Sequence, residues 1–163
     1  MASDLLERAT RLIYREAALL DRREWREWLE LYLPDAVFWI PAWDDETTVT
    51  DDPKSEISLM YYDGRAGLED RVWRIESGMA AATIPAARTC HLVTGVHLDG
   101  AEGDDVRVAS SFSVHTFRQK KTLTFYGSYE HRLREAGGEL KIAQKKIVVL
   151  NDVIPGVLDV YNV

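Results

Sequence analysis

The chain has 163 residues, 46% of them hydrophobic, which is enough apolar surface for one packed core and too much for a disordered polymer. Its 27 acids against 20 bases give a formal charge of −7, which argues against nucleic acid, because a phosphate backbone needs a basic face that releases counterions. A single cysteine, Cys90, excludes an intrachain disulfide, and no apolar run approaches the roughly 20 residues that span a bilayer. The N-terminus, MASDLLERATRLIYRE, is amphipathic and charged without an apolar signal region, so the expectation is a cytoplasmic protein forming one domain over residues 1–163.

Two helices open the chain. From Asp4 to Asp21, the residues Leu5, Leu6, Ala9, Leu12, Ile13, Ala17 and Leu20 make one apolar stripe, with Ser3 or Asp4 as cap. Arg23 to Leu33 predicts a second helix, with Trp25, Trp28, Leu29 and Tyr32 on one face and Pro34 as its stop. Ala36 to Pro41, AVFWIP, is a short strand. The following loop to Ser55 is rich in acids but lacks the residue order of a calcium loop, so it is read as solvated.

The segment Glu56 to Glu76 reads as strand, turn and helix. Ile57, Leu59 and Tyr61 alternate with Ser58, Met60 and Tyr62, Asp63-Gly64 is a turn pair, and Leu68, Val72, Ile75 and Met79 follow at helical spacing. Arg65 with Glu69 and Asp70 with Arg74 form i,i+4 pairs worth about 0.2–0.5 kcal/mol each, enough for solubility and little for stability. Four runs of period-two alternation complete the chain: Thr89 to Asp99, Asp105 to Arg118, Thr122 to Glu135 and Glu139 to Asn151. Helices first and a hairpin meander afterwards predict an α+β fold, with a strongly curved antiparallel sheet wrapped around the N-terminal helices as a cone.

Residues able to do chemistry are sparse. One cysteine cannot supply an iron–sulfur or zinc set. His91 and His97 fall on one face of a regular strand but about 20 Å apart, too far to share a metal. His115 alternates with Arg107, Ser111 and Ser113 on a polar face and is read as solvated or interfacial. His131 shares its face with Leu123, Phe125, Tyr129 and Leu133, where an imidazole needs a partner, so it is a satisfied core histidine or a base. Asp21, at the corner between the helices, is either a helix terminator or a carboxylate looking into the cone, where burial would raise its pKa toward general-base range. Phe38, Trp39 and Trp43 leave at least one tryptophan off the core face, which suits a protein interface, and the tail NDVIPGVLDVYNV is too apolar to fray.

The stretches YREAALLDRREWREWLELYLPDAVFWIPAWDD, DPKSEISLMYYDGRAGLEDRVWRI, ATIPAARTCH and KKIVVLNDVIPGVLDVYNV together resemble the small (beta) subunit of aromatic-ring-hydroxylating dioxygenases, in the branch acting on benzoate, toluate and anthranilate. The resemblance runs nearly end to end. It implies a cystatin-like cone of the nuclear-transport-factor and ketosteroid-isomerase superfamily, assembled with sister small subunits and a large (alpha) subunit in a three-plus-three hexamer. It also implies that the Rieske iron–sulfur cluster and mononuclear Fe(II) lie in the large subunit, that a separate reductase delivers electrons from NADH, and that the complex cis-dihydroxylates an aromatic acid. On that reading this chain is structural, with no catalytic, cofactor or metal residue of its own, and Trp39, Trp43, Tyr62, Tyr161 and Val163 are the interface candidates. The competing expectation is a self-sufficient cone-fold dehydratase or isomerase using Asp21 and His131 as an acid/base pair.

Overall fold

A computed structural model describes residues 1–79 and 83–163. Its helices are α1 (Ala2–Arg22), α2 (Trp25–Glu30) and α3 (Arg65–Glu76), and its strands are β1 (Tyr32–Pro41), β2 (Ser58–Asp63), β3 (Arg88–Glu102), β4 (Asp105–Arg118), β5 (Lys121–Ala136) and β6 (Glu139–Val149). The strands form one six-stranded sheet in the order β2-β1-β6-β5-β4-β3. The meander β3 to β6 is antiparallel as expected, but β1 runs parallel to β6, so the sheet is mixed.

The second helix is shorter than its periodicity suggests. It stops at Glu30, and Tyr32 already belongs to β1, where its ring packs edge-on against Trp28. Pro34 lies inside this strand rather than after a helix, which is tolerated because the pairing with β6 is interrupted between Tyr32 and Val37 and that with β2 begins only at Val37. In β2 the core face is Met60 and Tyr62, opposite Ile40 and Phe38, while Leu59 is exposed. Leu68 and Val72 bury the inner face of α3, whereas Met79 lies beyond the helix and is exposed. Both predicted i,i+4 pairs form, at 2.9 Å for Arg65–Glu69 and 3.2 Å for Arg74–Asp70.

The core sits between α1, α3 and the concave face of the sheet, built from Leu12, Ile13 and Leu20 below and Phe112, Phe125, Tyr129, Leu133 and Ile147 above. Bulges bend the sheet and also reassign its faces. In β3, Thr94 pairs with Ser111 and His97 with Ala109, so an extra residue at Gly95-Val96, with Gly95 at φ +68, shifts the alternation. His91 and Val93 face inward before the bulge, Val96 and Leu98 after it, and His97 therefore points outward. The expectation that His91 and His97 share a face fails for this reason. In β6 the same device acts at Ala143, since Ile142 pairs with Leu133 and Gln144 with Arg132. Beyond it Lys145, Ile147 and Val149 face the core. At Gly127 of β5 a Cβ would collide with the carbonyl oxygen of Val148, so β6 approaches there as only glycine permits.

Candidate functional site

The helical spacing that buries Leu12, Ile13, Leu19 and Leu20 also carries Glu16 into the core. Its carboxylate is surrounded by donors. Oε1 accepts from the Tyr32 hydroxyl at 2.6 Å, from Lys145 Nζ at 2.8 Å and from the Trp28 indole at 3.4 Å, and Oε2 accepts from His131 Nε2 at 3.3 Å. Lys145 reaches this point only because the β6 bulge turns it inward, and its ammonium also lies 4.3 Å from the ring centre of Tyr129. Burial opposes ionisation of Glu16, yet Lys145 and His131 hold its pKa well below the usual carboxylate range. Burial lowers the pKa of His131 and outweighs the pull of Glu16, so the imidazole stays neutral, donating from Nε2. Burial and the Glu16 charge push the Tyr32 hydroxyl well up. The result is a charge-compensated knot in the interior of the cone.

A second carboxylate–histidine pair lies nearer the surface. Asp21, in the last turn of α1, accepts from the His91 backbone at 2.9 Å through Oδ2, while its Oδ1 meets His91 Nδ1 at 2.5 Å and the Thr89 hydroxyl at 2.9 Å. Burial works against the Asp21 anion, but the two His91 bonds and Thr89 keep its pKa below the ordinary value, opposite to the rise expected of a buried base. Asp21 therefore neither caps α2 nor pairs with His131. No hydrogen bond joins the two residues of the expected acid/base pair, and each is held by a different partner. His115 is exposed, with Nδ1 3.2 Å from the Thr124 hydroxyl. Among the described residues, no group of three or more His, Cys, Asp or Glu side chains is placed to hold a metal ion, and no helix is long and apolar enough to cross a membrane.

The interface candidates fall into two groups. Trp39, on the outer face of β1, is buried by its bond to Ser58 Oγ at 2.9 Å and by Lys146, whose ammonium lies 5.0 Å from the ring centre. Tyr161 and Val163 are buried within this chain, the former against Trp25 at a centroid distance of 6.1 Å. Their tail is fastened by Asp159, which accepts from Nε and Nη2 of Arg71, and by Asn162, which accepts from Asp159 N and donates to Val157 O, each at 2.8 Å. Trp43 and Tyr62 keep exposed surface. Trp43 is 38% accessible although its indole donates to Val149 O at 2.8 Å, and Tyr62 is half-buried beside Phe38.

Residues 15–156 match the family model described as ring hydroxylating beta subunit. The chain belongs to that family. Among curated proteins, the ring-hydroxylating beta subunit here is 44% identical over 153 residues to the 2-halobenzoate 1,2-dioxygenase small subunit of Burkholderia cepacia, covering 93% of this chain and 92% of that one. It is 42% identical over 151 residues to the toluate 1,2-dioxygenase subunit beta of Pseudomonas putida, covering 93% of each. The crystal structure of the benzoate 1,2-dioxygenase beta subunit from Burkholderia mallei superposes with a TM-score of 0.79 at 36% identity over 95% of both chains. The beta-subunit cone, with N-terminal helices packed on a curved sheet, is thus the fold of this chain.

Proposed function

We propose that this beta subunit is the non-catalytic small subunit of a Rieske non-haem iron dioxygenase that cis-dihydroxylates an aromatic acid of the benzoate or methylbenzoate class. The observation that carries the proposal is the near-complete coverage of small subunits of benzoate-type 1,2-dioxygenases at 42–44% identity. The interior supports it physically. In a cone that performs chemistry, the titratable groups would have to face substrate, whereas Lys145, Tyr32 and Nε2 of His131 are turned onto the Glu16 carboxylate in the core. The partner is a large subunit carrying the Rieske cluster and the mononuclear iron, with electrons arriving from NADH through a separate reductase. Three copies of each chain make up the assembly, in which the small subunit holds its partners in place.

For contacts with neighbours, Trp43 and Tyr62 carry the proposal, because they retain surface that a partner can cover. The test is dioxygen uptake with benzoate and the reductase. The chain alone is expected to be colourless, free of iron and inactive, and the rate should appear only when a Rieske large subunit is present. Benzoate turnover by the isolated chain would overturn the proposal.

A further inference from the structure

The corner between α1 and α2 closes one side of a pocket of about 160 Å³ whose walls include Leu20, Trp25, Ile75, Ala87 and Tyr161. That volume is comparable to the engineered cavity of about 150 Å³ that takes up benzene. The tilted Trp25 and Tyr161 rings, at an interplanar angle of 55°, present aromatic surface to an occupant. The charged residue that lines the pocket is Arg23, which is exposed to solvent. Among the described residues Arg23 has no carboxylate partner, unlike Arg26, Arg65, Arg71 and Arg74 on the neighbouring helices. It also sits at φ 58, in the left-handed position that ends α1 and where glycine is the ordinary choice. An apolar slot the size of one ring, bordered by Arg23 with no carboxylate partner among the described residues, has the complementarity of a small apolar carboxylate.

We propose that this pocket binds a ring-sized monocarboxylate, with the ring against Trp25 and Tyr161 and the carboxylate on Arg23. The site belongs to this chain alone and does not depend on the small-subunit assignment. Occupancy would add to the contacts that already join the α1–α2 corner to Thr89 and to the C-terminal tail, through the Asp21–Thr89 bond and the Trp25–Tyr161 ring contact.

The experiment is titration of the full-length chain with benzoate, followed by calorimetry and by the methyl NMR signals of Leu20 and Ile75. Benzoate should shift those signals saturably, and benzyl alcohol, which keeps the ring and lacks the charge, should bind at least about tenfold more weakly, as loss of a charge-assisted hydrogen bond predicts. Arg23→Gly suits the left-handed backbone and should leave thermal stability unchanged or raised while weakening benzoate by the same factor. Absence of saturation, equal affinity for benzyl alcohol, or equal affinity in Arg23→Gly would each overturn the proposal. A chain that binds benzoate but joins no large subunit would keep this site and remove the assignment above, and the converse result would do the reverse.

Discussion

Glu16 and Asp21 stand about one and a half turns apart on α1, and each meets a histidine, yet the two centres end in different states. Glu16 is wholly enclosed and survives as an anion because Lys145 neutralises it and three uncharged donors complete its shell. Asp21 is half-buried and is held by backbone and side-chain groups of β3. Distance from solvent separates the two centres. The buried carboxylate is met by a lysine ammonium, whereas the one at the rim is met by His91 and Thr89.

The largest expected effect comes from removing the countercharge. Lys145→Met should cost about 3–5 kcal/mol in urea unfolding, because the Glu16 anion is left unpaired in the core. Adding Glu16→Gln to that variant should recover most of the loss, and a single variant as stable as the parent would show that the ion pair carries no such role. Tyr32→Phe follows, at about 1.5–3 kcal/mol for a hydrogen bond to a charged acceptor. Asp21→Asn should cost about 1 kcal/mol or less, since this pair is partly solvated. A cost equal to that of Lys145→Met would erase the distinction between the two centres.

Acid should separate the centres as well. His131 has its pKa lowered on folding, so the unfolded chain takes up a proton first, and stability should begin to fall as pH drops below about 6.5. Glu16 and Asp21 have lowered pKa values, so their contributions are present above the ordinary values of 4.5 and 3.8 and are lost as pH falls below them. Unfolding followed from pH 8 to pH 3 should therefore show an early decline that His131→Gln flattens. A decline unchanged by that substitution would mean that His131 is not held neutral in the core.

Much of the architecture is legible in local pattern. The strand Asp105–Arg118 has the limits its alternation suggests, and the α3 ion pairs follow from spacing alone. The long-range features are not. In the sequence the α2 stripe continues to Tyr32 because a strand residue falls at helical spacing, and only pairing with β6 reveals the change. The knot around Glu16 depends on two facts of different visibility. A glutamate flanked at helical spacing by Leu12, Ile13, Leu19 and Leu20 is a readable signal of a buried acid, whereas Lys145 faces the core only because of the Ala143 bulge, which no period-two pattern encodes. The Gly95 bulge moves His97 outward for the same reason, and Asp21 finds His91 only when β3 folds over α1.

The measurement that bears most directly on the small-subunit account is native mass spectrometry of this chain coexpressed with the large subunit of a benzoate-type Rieske dioxygenase. A single assembly with three copies of each chain is expected, weakened when Trp43→Ala trims the exposed indole. A large subunit that assembles and turns over benzoate fully without this chain would contradict it.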